Sequence, residues 1–184
     1  CLVGSEMCIR DRVKDGGTLR LAISTLPTSW NPMHIDNNLV DLDSIIWQFI
    51  GANNFDIAED GTPKPNPNYI ESAKVDTKDG KQVVTLHLNP KATWNSGRTI
   101  DYTDYQATWK SSNGENDEFL PSTTDGFKQI TSVEKGDKNT DVVIKYKSTY
   151  PDWTATWRNV MPKEGVSDPC LLYTSDAADA LLCV

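Results

Sequence analysis

Apolar and polar residues alternate in several short stretches of the chain, and this alternation is the pattern of half-buried strands. The predicted strands are residues 18–24, 55–57, 69–75, 82–88, 129–134 and 141–146. The third and fourth strands flank Asp79-Gly80, a dipeptide that tolerates positive backbone angles and therefore predicts a hairpin. Val84, Leu86 and Leu88 share one side of that hairpin.

Helical spacing of apolar residues occurs between these strands. In the first helix the apolar positions are Leu42, Ile45, Ile46, Phe49 and Ile50, with Asn38 or Asp41 as the cap. Asp101 and Asp104 frame the first turn of a second helix. Asp152 can cap a short third helix that runs to Asn159.

Segments rich in proline, glycine and polar residues separate these elements, and we expect no regular structure in them. They are residues 26–38, 61–68, 89–99 and 111–125. The order of strand, long loop, helix, hairpin, helix, hairpin and helix predicts an α+β fold.

Length and charge narrow the possible functions. The chain has 184 residues, enough for one domain with a substantial core. It carries 26 acidic and 18 basic residues, for a net charge of -8. We expect no nucleic-acid partner, because nucleic-acid binding depends on clustered lysine and arginine. No apolar stretch of the sequence is long enough to cross a bilayer.

The two ends of the chain differ from its middle and contain all four cysteines, Cys1, Cys8, Cys170 and Cys183. Codons for Met-Cys-Ile-Arg-Asp-Arg at 7–12 have a reverse complement that encodes Cys-Leu-Leu-Tyr-Thr, the peptide at 170–174. Both ends resemble the translated transposon end of sequencing libraries. We therefore interpret residues 1–12 and 168–184 as adapter-derived and residues 13–167 as the natural segment. The alternative is a secreted protein with two disulfides near its termini.

Several motifs follow one another along residues 13–167. They are Gly16-Gly17-Thr18-Leu19, Pro27-Thr28-Ser29-Trp30-Asn31-Pro32, Asp60-Gly61-Thr62-Pro63, and Trp94-Asn95-Ser96-Gly97 joined to Asp101-Tyr102-Thr103-Asp104. In this order they resemble the amino-terminal part of the family 5 extracellular solute-binding proteins, which serve ABC importers of peptides. Arg98 departs from the family pattern, in which threonine is common at that position.

The resemblance implies a partial periplasmic-binding-protein-like fold of type II, limited to the amino-terminal lobe. It implies a protein that binds a peptide in a cleft between two lobes and delivers it to an ABC permease and its ATPase. We expect an extracytoplasmic monomer, periplasmic or lipid-anchored at the cell surface, that needs no cofactor. The residues that the resemblance places at the ligand are Ser24, Thr25, Leu26, Trp30, Asn31, Asn53 and Asn54.

The remaining aromatic and titratable residues have structural interpretations. Trp30 is either a wall of the ligand cleft or a plug at the edge of the core, and the sequence leaves this open. We expect Trp94 and Trp109 to pack in the core. The two histidines, His34 and His87, have no spacing that predicts a metal site.

Catalysis has weaker support in the sequence. Asp101 and Asp104 fall in a first helical turn, where carboxylates cap backbone amides, so we expect caps rather than a catalytic pair. The alternative function is a secreted hydrolase with a tryptophan-lined groove, but no nucleophile and base are paired by any motif. A further alternative is a fragment without activity of its own, since half a cleft offers half the contacts.

Overall fold

The computed structural model describes residues 16–18, 20–25, 27, 31–37, 39–41, 47 and 51–169, without the side chain of Lys78. Most of the predicted first helix lies outside the described residues, although Val40, Asp41 and Trp47 are helical. In the described part of the chain no helix has both the length and the apolar character to span a membrane.

The centre of the fold is a four-stranded antiparallel sheet. Its strands are β4 (Ile70–Lys78), β5 (Lys81–Leu88), β6 (Ile130–Lys135) and β7 (Asp141–Tyr146), in the order β4-β5-β7-β6. Asp79 and Gly80 join β4 to β5 with φ angles of 53° and 73°, so the predicted hairpin is confirmed. The alternation in β5 is confirmed as well, because Val84, Leu86 and Leu88 are buried.

Three short strands precede the sheet: β1 (Ala52–Asn53), β2 (Phe55–Ile57) and β3 (Pro63–Pro65). The prediction that 61–68 has no regular structure is wrong, because β3 pairs antiparallel with β2. Hydrogen-bonded and non-bonded pairs alternate in such a ladder. The bonds from Ala58 N to Thr62 O and from Asn66 N to Asn54 O fix the alternation, so that Pro63 and Pro65 occupy non-hydrogen-bonded positions. Their missing N–H groups are therefore not needed there.

The predicted first strand, 18–24, is also corrected by the structure. Its described residues take no regular secondary structure, and Leu21 and Ile23 are 49% and 39% exposed. Alternation produces a strand only where a neighbouring strand accepts its hydrogen bonds. None of the described sheets includes this segment.

Helix α1 (Tyr102–Ser112) packs on the sheet and begins at a capping box. The Asp101 side chain accepts from Thr103 N at 2.8 Å, and the Asp104 side chain accepts from Asp101 N at 3.0 Å. The expected capping role of both aspartates is thus confirmed. The buried rings of Tyr105 and Trp157 pack together in the core beside α1, with ring centroids 5.4 Å apart.

The end of the described chain differs from the prediction. The short helix α2 (Trp153–Thr156) stops before Asn159, and Asp152 precedes it without a side-chain capping bond. Trp157 is fully buried and donates from Nε1 to the Tyr146 hydroxyl at 3.0 Å. The chain then forms β8 (Asn159–Val160), which pairs antiparallel with β1, and a last short helix, α3 (Lys163–Val166). Pairing with β1 replaces the helical continuation.

Candidate functional site

A groove of about 350 Å³ opens next to Asn159 of β8. It is lined by residues from four segments: Pro32 and Met33; Ser122, Thr123, Asp125 and Phe127; Tyr150; and Ala155, Thr156, Arg158 and Asn159. The groove therefore combines apolar and aromatic surface with a few polar groups, which is the usual composition of a ligand site.

One wall of the groove consists of two loops that are tied together by their backbones. Ser122 N donates to Met33 O at 2.7 Å, and Ile35 N donates to Leu120 O at 3.0 Å. Asn31 stabilises the turn into this wall, since its Oδ1 accepts from Met33 N at 3.0 Å. The loop that follows the first predicted strand is thus fixed against the loop that follows α1.

The aromatic residues of the groove are anchored in the core. Phe127 packs edge-on against Trp157 with ring centroids 5.5 Å apart, and its carbonyl accepts from Trp109 Nε1 at 3.2 Å. Tyr150 stacks on Tyr146 at 6.0 Å. Because the core holds these rings, a ligand meets a largely preformed surface.

Gly126 allows the loop to approach the groove wall closely. Its φ is +81°, and a Cβ built there would lie 2.1 Å from Thr156 Oγ1. The position therefore needs glycine for two reasons, backbone conformation and space.

Asn53 and Asn159 form a pair across the β1–β8 ladder. They are register partners, so their side chains share one face, while Ala52 and Val160 on the other face join the core. The Oδ1 atoms of both asparagines are buried without a hydrogen-bond partner among the described residues. Asn53 Nδ2 donates to Trp47 O at 3.1 Å, whereas the Asn159 side chain makes no hydrogen bond to any described residue. Unsatisfied buried amides are unusual and indicate a functional role or a missing partner.

Two lining residues carry charge, Asp125 and Arg158. Asp125 pairs with Lys128 at 2.9 Å. Arg158 has no ion pair or side-chain hydrogen bond within the described part of the chain. Among the described residues the groove therefore has one positive charge without an acidic partner.

Among the residues that the sequence placed at the ligand, Ser24 and Thr25 are exposed and do not line this groove. Ser24 donates from its hydroxyl and its backbone N to the Asp41 carboxylate, at 2.6 and 2.5 Å. These hydrogen bonds hold the pKa of Asp41 below its ordinary value. Asp41 itself is helical and fastens this loop rather than standing before the helix as a cap. Leu26 and Trp30 lie outside the described residues.

Asn31 and Asn53 are not lining residues themselves, but Asn31 precedes Pro32 and Asn53 pairs with Asn159, both of which line the groove. Asn54 belongs to the core. Asn54 is 1% exposed, donates to Trp157 O at 2.8 Å and accepts from the Tyr105 hydroxyl at 3.1 Å. Both polar groups of its side chain are thus occupied. Burial raises the pKa of Tyr105, which keeps its hydroxyl protonated as a donor.

A buried ionic cluster that the sequence analysis did not predict lies beside α1. Asp104 is fully buried and accepts from Trp94 Nε1 at 3.1 Å and from Lys163 N at 2.9 Å. Arg98 binds both oxygens of Asp104, at 3.0 and 2.6 Å, and also contacts Glu164 at 2.7 Å. The hydrogen bonds to Asp104 raise the pKa of Arg98. The cluster joins α3 to α1, and the expected core position of Trp94 is confirmed.

The two histidines are in different places. His87 contacts the Asp141 carboxylate at 2.9 Å on the sheet, and His34 lies in the loop that lines the groove. Within the described ranges no group of three or more metal-ligating side chains is present. The hydrogen bond that His87 donates to Asp141 lowers the pKa of the Asp141 carboxyl.

The described fold is a partial lobe of the type II periplasmic-binding-protein class. It is shared with EppA, a periplasmic EDTA-binding protein (TM-score 0.70, 22% identity), over 77% of this chain and 26% of that one. It is also shared with OppA from Haemophilus influenzae, solved with the peptide RPPGFSPFR (TM-score 0.60, 17% identity), over 77% of this chain and 30% of that one. No model of a known protein family matches the sequence.

The sequence is 28% identical over 141 residues to the oligopeptide-binding protein OppA of Mycobacterium tuberculosis. The match covers 77% of this chain and 24% of that protein, so the chain spans about a quarter of its relative. Sequence and fold are thus both similar to those of family 5 extracellular solute-binding proteins.

Proposed function

We propose that the chain is part of the substrate-binding component of an ABC importer, which binds peptides in an interlobe cleft and delivers them to the membrane permease. The groove next to Asn159 is the face of the cleft that this chain contributes. The observation that carries the proposal is that its walls are anchored while the Asn159 amide has no partner among the described residues. The identity to oligopeptide-binding proteins supports a peptide as the ligand.

Peptide chemistry fits the surfaces of the groove. A peptide backbone offers one N–H donor and one C=O acceptor per residue, and an asparagine amide can pair with either. Asn159 supplies such an amide in the groove, and its register partner Asn53 carries a second one. Met33, Phe127 and Tyr150 provide apolar and aromatic surface for peptide side chains. Asn31 stays a proposed contact because it precedes the lining residues Pro32 and Met33, and Ser24 and Thr25 stay predictions for the exposed loop.

The chain spans about a quarter of its relative OppA, which supports its being part of a longer protein. We propose that residues 13–167 belong to one lobe of a longer extracytoplasmic protein and that residues 1–12 and 168–184 are adapter-derived. Peptide affinity then depends on a second lobe that closes the groove, since an open surface gives too few contacts to offset the entropy cost of binding.

The test begins with the native gene, sequenced across both ends of the frame. The full-length product is purified without denaturation, mixed with a random peptide library and examined by native mass spectrometry. We expect complexes of one protein with one peptide and unchanged peptide masses. Cleaved peptides would instead favour the hydrolase alternative, and a frame confined to these 184 residues would refute the assignment to a longer protein.

Asn159→Ala tests the groove itself, with Asn89→Ala as the matched control. Asn89 carries the same side chain in a loop after β5, away from the lining residues. We expect the first substitution to weaken peptide binding and the second to leave it unchanged, measured by isothermal titration calorimetry. Equal affinities for all three proteins would show that the groove is not the peptide site.

A further inference from the structure

We infer that Arg158 determines ligand specificity by binding a carboxylate of the bound molecule, so that the site prefers acidic ligands. This inference rests on the proposed function and adds a chemical class to it. The shared chemistry is a carboxylate, from either an acidic side chain or a free carboxyl terminus.

The first support is the lack of any internal partner for Arg158. Arg98, by contrast, uses its guanidinium to bind Asp104 and Glu164. Arg158 lines the groove and has no acidic partner or side-chain hydrogen bond among the described residues. A guanidinium offers five donors in a planar fork that matches a carboxylate, and no described residue accepts from any of them here.

The second support is the charge balance around Arg158. The chain has a net charge of -8, so its general field repels anions. Within the groove the one acidic lining residue, Asp125, is already paired with Lys128 at 2.9 Å. The local field at Arg158 is therefore positive in a molecule that is otherwise acidic, and only a group bound directly there experiences it strongly.

The third support is the fixed position of the Arg158 backbone. Its carbonyl accepts from Asn54 N at 2.9 Å, and its N donates to Ala155 O at 3.3 Å. The next residue is Asn159, whose amide also makes no hydrogen bond to a described residue. A cation and an adjacent amide on a held backbone can bind the two oxygens of one carboxylate, or a carboxylate and the neighbouring peptide group.

The experiment compares Arg158→Gln and Arg158→Lys with the unchanged full-length protein. Four probes separate the two sources of a carboxylate: a tetra-alanine peptide with a free carboxyl terminus, its C-terminal amide, and amidated versions with one Glu or one Gln. Lys64→Gln is the matched control, because it removes one positive charge from an exposed strand residue outside the groove. Thermal melting of each variant checks that it remains folded.

We expect Arg158→Gln to weaken binding of carboxylate-bearing probes by about tenfold or more, the scale of a charged hydrogen bond. Binding of the neutral probes should change little, and Arg158→Lys should restore part of the loss. A loss confined to the free terminus or to the Glu peptide identifies which carboxylate is bound.

Three outcomes would overturn the inference. Equal effects on carboxylate and neutral probes would assign Arg158 a structural role, and an effect matched by Lys64→Gln would assign it to general charge. In both cases the proposed function stands, because the unchanged protein still binds peptides. If the unchanged protein binds none of the probes or library peptides, the proposed function fails and this inference fails with it.

Discussion

Substitution of Asp104 by Asn tests the buried cluster that fastens α3 to α1. The carboxylate is fully buried, and five donors from four residues converge on its two oxygens. Three of them, Trp94 Nε1, Arg98 Nη1 and Asp101 N, reach Oδ2 at 3.0 to 3.1 Å. One set of donors binds Oδ2, and Arg98 Nη2 and Lys163 N bind Oδ1. In either orientation of an asparagine amide, its NH2 group faces one of these two sets and cannot accept from it. At least two good hydrogen bonds and the ion pair are therefore lost.

The magnitude follows from the burial of each partner. Loss of one member of a buried ion pair costs about 3 to 5 kcal/mol. Arg98 is 26% exposed and keeps Glu164, so we expect the lower value, about 3 kcal/mol. For a chain of this length that corresponds to a decrease in Tm of roughly 6 to 12 °C.

Urea unfolding followed by tryptophan fluorescence measures the free energy of unfolding, since Trp94 lies in the cluster. Asp137→Asn is the matched control, with the same chemical change in an exposed turn between β6 and β7. The control should change stability by less than about 0.5 kcal/mol. If Asp104→Asn costs no more than the control, the cluster does not hold α3 to α1.

Two further predictions concern the groove loop and the sheet. Gly126→Ala should destabilise the chain by about 1 to 3 kcal/mol, because φ is +81° and the new Cβ meets Thr156 Oγ1 at 2.1 Å; unchanged urea unfolding would contradict this. The hydrogen bond from His87 lowers the Asp141 pKa below 3.8, so its stabilisation is present above that value and is lost as the pH falls through the folded pKa. Asp141→Asn should therefore lose less stability than the unchanged chain on acidification below about pH 5, and parallel curves would refute this.

Local signals in the sequence predicted the elements that depend on neighbours along the chain. Asp79-Gly80 adopts the positive φ angles that a two-residue hairpin turn requires, and the flanking strands follow from it. Asp101 and Asp104 form the capping box because its bonds span only three residues. In both cases the interacting residues are only a few positions apart in the sequence, so local sequence is enough to predict the contact.

Pairing between distant segments decided the remainder of the fold. The alternation at 18–24 does not produce a strand among the described residues, because no described strand lies beside it. Pro63–Pro65 does form a strand, because β2 pairs with it. Helix α2, predicted to run to Asn159, ends at Thr156 because β8 pairs with β1, more than one hundred residues earlier in the chain. Propensity cannot predict these outcomes, since the competing partner is not in the local window.

The candidate site divides in the same way. The order of elements in the sequence by itself determined the α+β class. Asn31 and Asn53 stay predicted ligand residues, which are neighbours of the lining residues Pro32 and Asn159. Only the tertiary structure placed Asn54 in the core, where Tyr105 and Trp157 occupy its amide. Only the tertiary structure placed Arg158 and Asn159 in the lining of the groove, because their position depends on the β1–β8 ladder. A site made by long-range pairing has no signature in the spacing of residues along the chain, whereas caps and turns do.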